Sequence, residues 1–250
     1  IRIAEEVASL DHLSGGRVIL GLGRGFRPAL FSAFGIDPKE KRDRFDASLD
    51  LILAAWRGEP VTASGTGLEP GGEAANRRLR PPLQQPHPPL AVAAFGSKGL
   101  AQAAQRGLPY LASPMEAFDQ IRENLEIHRQ GMPAEQMPGH SVVPIMRTVF
   151  VSQTDSSSQR VLMALEAENR NARGMRGGRT PKVIARAMSA PIEERVVVGQ
   201  AAKVTDQLAR YRRELGMNLM VIRPQVSGTE ESERLDALDR LIEEVMPALT

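Results

Sequence analysis

The chain has 250 residues, 42% of them hydrophobic and 25% charged, with a formal net charge of +2. That is the balance of an ordinary globular protein with room for one large domain, and it gives no bulk electrostatic drive toward nucleic acid or an anionic membrane. Cysteine is absent, which excludes disulfides, thiolate metal sites and cysteine nucleophiles and fits a reducing, cytoplasmic compartment.

The spacing of Ile3, Val7 and Leu10, with Ala4 and Ala8 filling the same face, predicts an amphipathic helix over Ile1 to Leu13 with those residues inward, stopped by Gly15 and Gly16. Val18, Ile19 and Leu20 then read as a buried strand entering a loop of Gly21, Gly23 and Gly25 around Arg24. Glycines let the backbone approach a ligand, and Arg24 supplies a fixed positive charge, so the loop is a candidate anion cradle. It is not the dinucleotide fingerprint, because Phe26, Arg27 and Pro28 stand where that motif needs a helix to open. Residues 26–38 read as irregular and rich in phenylalanine, and Lys39 to Arg57 as a helix.

Residues 58–89 form a Pro- and Gly-rich excursion, with Val61 to Ala63 and Arg78 to Leu83 as a possible small hairpin. Regular alternation resumes with a strand over Leu90 to Phe95, a turn over Gly96 to Gly99, a helix over Leu100 to Gln105 and a strand over Tyr110 to Ala112. A helix is expected from Ser113 or Pro114 to Gly131, and a buried strand from Val142 to Val151. A helix follows the Ser-rich cap at Asp155 to Ser158. Residues 169–195 read as a second excursion, and within it Asn169 to Thr180, with four arginines and no apolar face, as a mobile surface loop. The chain closes with an apolar run at Arg195 to Gly199, a helix over Ala201 to Leu215, a strand over Leu219 to Ile222, and a helix over Glu230 to Met246 with Leu235, Leu238, Leu241, Ile242 and Val245 inward. Strands alternating with helices imply an α/β fold with a parallel sheet.

Ordinary catalytic signatures are missing. No His and carboxylate spacing suggests a metal site, and neither GxSxG nor a P-loop occurs. The Arg- and Gly-rich stretch from Asn169 lacks the interleaved aromatics of a single-strand nucleic-acid binder. The sequence shows neither a bilayer-length apolar run nor a signal-peptide pattern at its start.

AEEVASLDHLSGGRVILGLGRG, the Phe34-Gly35 pair, the helix with Arg44 and Trp56, LQQPHPPLAVAAFGSKGLAQAAQRGLPYL, and VVVGQAAKVTDQLARYRRELGMNLMVIRPQ with a late VMPAL together resemble the bacterial luciferase-like flavin monooxygenases, in order over nearly the whole chain. The resemblance implies one (β/α)8 TIM barrel over residues 1–250, lacking its first three strands in this chain, with both glycine-containing turns opening on the catalytic face. It implies reduced FMN, or in a related branch a deazaflavin, acting with molecular oxygen on a small organic substrate. A separate flavin reductase and a homodimer are the implied partners. Arg24 matches the family arginine at the flavin phosphate, next to Gly23, and Arg44 a second contact. Ala94, Gly96, Ser97, Lys98 and Gly99 match the phosphate loop, with glycine replacing some of its hydroxyls. The ring-side groups of the family lie on the first three strands, and His12, His87, His128 and His140 match none of them, so no catalytic residue is named. A deazaflavin-dependent dehydrogenase and a non-catalytic flavin binder are the alternatives.

Overall fold

The computed structural model describes residues 1–59, 79–133, 142–174 and 182–249, which fall into two compact units, Ile1–Ala91 and Val92–Thr250. The hairpin expected at 61–63 and 78–83 lies largely outside the described residues.

In the first unit, helix α1 (Arg2–Ser14) ends at Gly15, whose φ of 67° is the left-handed stop that glycine adopts without strain. Strand β1 (Leu20–Gly23) follows, then α2 (Pro28–Ala33) and α3 (Lys41–Trp56). Residues 28–33 are therefore helical, not irregular as expected: Pro28 sits in the first turn, where its missing N–H costs nothing. Ala4, Val7 and Ala8 of α1 are buried, as are Leu49, Ile52, Ala55 and Trp56 of α3. Trp56 Nε1 donates to the Ala4 carbonyl at 3.0 Å. Ile3 and Leu10, expected inward, are exposed. The inner stripe keeps Ala4, Val7 and Ala8, as expected, and extends to Asp11, whose carboxylate accepts from Gln84 N–H at 2.8 Å and Gln84 Nε2 at 2.7 Å. Gln84 Nε2 also donates to the Val18 carbonyl, tying the entry of β1 to the end of α1. Leu20 N–H donates to the Pro89 carbonyl at 2.8 Å, beside the start of strand β2 (Leu90–Ala93).

The division into units falls within β2. In the second unit come α4 (Ser97–Gln105), β3 (Tyr110–Leu111), α5 (Phe118–Gln130), β4 (Pro144–Val151), α6 (Asp155–Gly174), α7 (Lys182–Ser189), β5 (Val197–Gly199), α8 (Ala201–Leu215), β6 (Leu219–Arg223), α9 (Glu231–Arg240) and α10 (Met246–Leu249). All pairings here are parallel: β2 with β3, Ala112 with Ile145 of β4, β4 with β6 over Pro144–Thr148, and β4 with β5 over Val149–Val151. Parallel pairing puts the carboxyl ends of β2, β3, β4 and β6 along one edge. Ile145, Val149 and Val151 join Phe118, Ile121, Leu208 and Tyr211 in one apolar cluster, while Phe150 joins Val161, Leu165, Val198 and Val226 in another. The alternation along β4 thus feeds two layers.

Helices α5, α6 and α9 depart from the sequence reading. The helix expected from residue 113 starts at Phe118, because backbone groups of 113–117 are held by side chains described below. Helix α6 continues to Gly174, so the first part of the expected loop is helical; a Glu166–Arg170 pair one turn apart, at 3.5 Å, supports it. Residues 175–181 lie outside the described residues. Leu235 and Ile242, expected inward, are exposed, whereas Ala237, Leu241 and Val245 are buried. Leu241–Val245 is a π-helical turn between α9 and α10, and its wider turn rotates the apolar stripe.

Candidate functional site

Two local arrangements carry the residues singled out from sequence, one in each unit. Gly23 ends β1, and Arg24 follows with its side chain half-buried. Burial holds the Arg24 guanidinium below its ordinary value, the like charge of Arg42 lowers it further, and Asp46 pulls the other way. Arg42 and Asp46 are four residues apart on α3 and so share a face. Arg44, on a different face, gives its Nε to Glu40 at 2.7 Å in an exposed pair. The arginine electrostatically coupled to Arg24 is therefore Arg42, which the sequence reading did not name. Its signal was only the spacing to Asp46. Gly25 has a φ of 73°, and a Cβ there would lie 3.4 Å from the Phe31 ring, so the turn beyond Arg24 requires glycine.

In the second unit, β2 runs out through buried Ala94 and half-buried Phe95 into Gly96, an extended residue that opens α4 without a side-chain cap. The helix begins at Ser97, three residues earlier than expected. Gly99 and Leu100 N–H groups close onto the Gly96 carbonyl at 2.7 and 3.0 Å, while Ser97 and Lys98 are exposed in the first turn. Ala94, Gly96, Ser97, Lys98 and Gly99 are thereby brought into one strand-to-helix turn. N–H groups of a first helical turn, together with an ammonium and a hydroxyl, form a donor set suited to an anion.

Beyond β3 lies a polar cluster that the sequence reading missed. Arg147 and Glu116 are fully buried. Glu116 accepts from Tyr110 OH at 2.5 Å, Asn124 Nδ2 at 2.5 Å and Ser113 N–H at 2.7 Å. Arg147 donates from Nε to Tyr211 OH at 2.8 Å, from Nη1 to the carbonyls of Ser113 at 2.7 Å and Met146 at 2.9 Å, and from Nη2 to the Glu116 carbonyl at 2.9 Å. Burial raises the Glu116 carboxyl above its usual range against the pull of these donors. It raises the Tyr110 phenol as well, with Glu116 adding to the effect. The cluster clamps residues 113–117 at the carboxyl end of β3. A charged residue inside the apolar run of β4 was the available signal, since such a residue must find partners.

The described histidines rest on backbone carbonyls: His12 on Pro81 at 3.0 Å, His87 on Pro88 at 2.8 Å and His128 on Leu108 at 2.9 Å. His140 lies outside the described residues. Among the described residues there is no metal-binding group of three or more His, Cys, Asp or Glu, and no helix long and apolar enough to cross a membrane.

Residues 1–219 match the family of luciferase-like monooxygenases. The chain belongs to that family. Among luciferase-like relatives, the oxygenase component of a flavin-dependent trigonelline monooxygenase from Acinetobacter baylyi is 24% identical over 267 residues, spanning 100% of this chain and 72% of that protein. An uncharacterised protein, y4wF, from Sinorhizobium fredii is 36% identical over 107 residues, 43% of this chain but only 30% of its own length. The monooxygenase RslO1 from Streptomyces bottropensis shares the fold with a TM-score of 0.80 at 23% identity, covering 100% of this chain and 74% of that one. A dehydrogenase dependent on coenzyme F420 does so with a TM-score of 0.65 at 18% identity, covering 100% and 74%. The luciferase-like fold thus serves proteins with different flavin-type cofactors.

Proposed function

We propose that this protein is a flavin-dependent oxidoreductase, a monooxygenase that takes reduced FMN from a separate reductase and acts with molecular oxygen on a small organic substrate. The observation that carries the reading is the family match over residues 1–219. The trigonelline relative, an oxygenase component, supports the separate reductase. The parallel sheet would be part of one (β/α)8 barrel domain, acting in the cytoplasm as a homodimer.

Each of the two arrangements, taken by itself, offers donors that fit a phosphate. Arg24, with Gly23 beside it and Arg42 on α3, would bind phosphate oxygens through planar guanidinium groups that stay charged. Arg44 would contribute only by leaving Glu40. Ser97, Lys98 and the first-turn N–H groups between Gly96 and Gly99 would receive phosphate oxygens, with buried Ala94 holding the turn to the core. When bound, reduced FMN supplies two electrons and, with oxygen, the oxygen-transfer chemistry; the protein's part is to position it and keep out water. A deazaflavin is the second reading, favoured by the likeness to the dehydrogenase that uses coenzyme F420.

Titration of the purified protein with FMN and with coenzyme F420, followed by cofactor fluorescence, tests the reading. Arg24→Gln and Lys98→Gln are expected to weaken the preferred cofactor about tenfold each, the scale of one lost charge-assisted contact. Oxygen uptake with reduced FMN separates an oxygenase from a non-catalytic binder. Failure of both cofactors to bind at millimolar concentration refutes the proposal.

A further inference from the structure

Beyond the carboxyl end of β6 the chain turns through Gln225, Val226, Ser227, Gly228 and Thr229 before α9, and this turn forms a cleft of ≈ 480 Å³ with Glu168 of α6, Arg223 and Arg234. The volume is in the range of small-molecule sites. Its walls are formed and held. Thr229 Oγ1 donates to the Val226 carbonyl at 2.7 Å, Arg234 donates to the Thr229 carbonyl, and buried Val226 belongs to the apolar cluster below. Val226 is the one apolar side chain in the lining; the remainder offers two guanidiniums, a carboxylate, an amide and two hydroxyls. Arg223 gives Nη2 to Glu168 at 2.7 Å and Nε to the Gln225 carbonyl at 3.4 Å. A guanidinium has five N–H donors, so these contacts leave others to serve a ligand. The Arg223 and Glu168 side chains are 41% and 35% exposed, open to an arriving molecule.

We propose that this cleft binds a small hydrophilic organic acid, its carboxylate on Arg223 and its remaining polar groups on Gln225, Arg234 and, as an acceptor, the Ser227 hydroxyl that donates to Glu168 at 3.3 Å. Two cations against one carboxylate leave the lining net positive, which selects an anion. So little apolar surface excludes long aliphatic ligands. Within the second unit, parallel pairing puts this cleft on the same sheet edge as the turn at Gly96–Gly99, and ligands of α/β folds bind at that edge. The inference deepens the proposed function, on which its substrate role rests, by naming the substrate class.

Calorimetric titration of the whole chain without flavin, using malonate and its uncharged counterpart malonamide, tests it. The protein is expected to bind malonate at least tenfold more tightly than malonamide. Arg223→Gln should weaken malonate about tenfold. Glu168→Gln, which removes the competing carboxylate, should strengthen it severalfold, a gain that misfolding would not produce. Equal binding of the two probes, no malonate binding at millimolar concentration, an unchanged Arg223→Gln protein, or weaker binding in Glu168→Gln would each overturn the site. Because flavin binding is measured separately, a malonate pattern without FMN or F420 binding would uphold the cleft and remove its substrate role. Cofactor binding without the malonate pattern would sink the cleft alone.

Discussion

Replacing Arg147 by methionine tests whether the buried cluster holds the second unit together. Methionine follows the arginine stem to about the position of Nε, so the change removes the charge and the donors while keeping the apolar part of the side chain. Tyr211 OH and the carbonyls of Ser113 and Glu116 each lose a donor placed at 2.7 to 2.9 Å, and the Glu116 carboxylate loses the nearby positive charge that now favours it. Orphaned buried groups cost about 1–3 kcal/mol each, and breaking a buried charged arrangement on one side costs about 3–5 kcal/mol in all. Burying a methionine side chain returns about 1.5–3 kcal/mol. A net loss of about 2 kcal/mol is expected, which for a protein of this size lowers Tm by roughly 4–8 °C. Urea unfolding and thermal melts followed by far-UV circular dichroism read the effect. Arg122→Met removes an exposed pair to Asp119 on α5, and as a control it should stay within about 0.5 kcal/mol of the unchanged protein. If Arg147→Met matched that control, the cluster would carry no net stability and the reason given for the late start of α5 would fail.

The carboxyl of Glu116 is raised in the folded state, so folding favours its protonated form. Its stabilising share is full below the unfolded value near 4.5 and is lost as pH rises through the folded one. Unfolding free energy measured from pH 4 upward should therefore lose a downward slope in Glu116→Gln; an unchanged slope would contradict the assignment. Asp11 runs the other way: burial pushes it up, but donors led by the Gln84 N–H outweigh this and leave it below 3.8. Its contribution is present above that value and is lost as pH falls through the folded one. Asp11→Ala should cost about 1–3 kcal/mol through the orphaned Gln84 donors, and fluorescence of the single tryptophan, Trp56, reports it from the same unit. Gly25→Ala should cost about 1–2 kcal/mol, since a side chain at a left-handed φ is strained there; equal urea midpoints would show that the turn relaxes freely.

The order of strands and helices was legible because each βα unit repeats the same signals: a short apolar run, a glycine or polar turn, and a helix with one apolar stripe. Helix rotation was less legible. On α1 the expected face joins Ile3, Val7 and Leu10 with Ala4 and Ala8, and only the hydrogen bonds from Gln84, distant in sequence, turn it toward Asp11 and leave Ile3 and Leu10 outside. On α3 the weak apolar patterning leaves the registers of Arg42 and Arg44 undistinguished until Asp46 and Glu40 are seen to take opposite roles. Arg147 was the readable anomaly that went unread. A charge within an apolar strand demands partners, but those partners are backbone carbonyls of Ser113 and Glu116, which carry no side-chain signature. These carbonyls belong to the turn that leaves β3 at the carboxyl edge, where the proposed phosphate turn and the acid-binding cleft also lie. The packing that buries Arg147 therefore fixes part of that edge from behind. Substitutions in the cluster should disturb the geometry of the edge as well as the stability of the sheet, even though none of its members is proposed to touch a ligand.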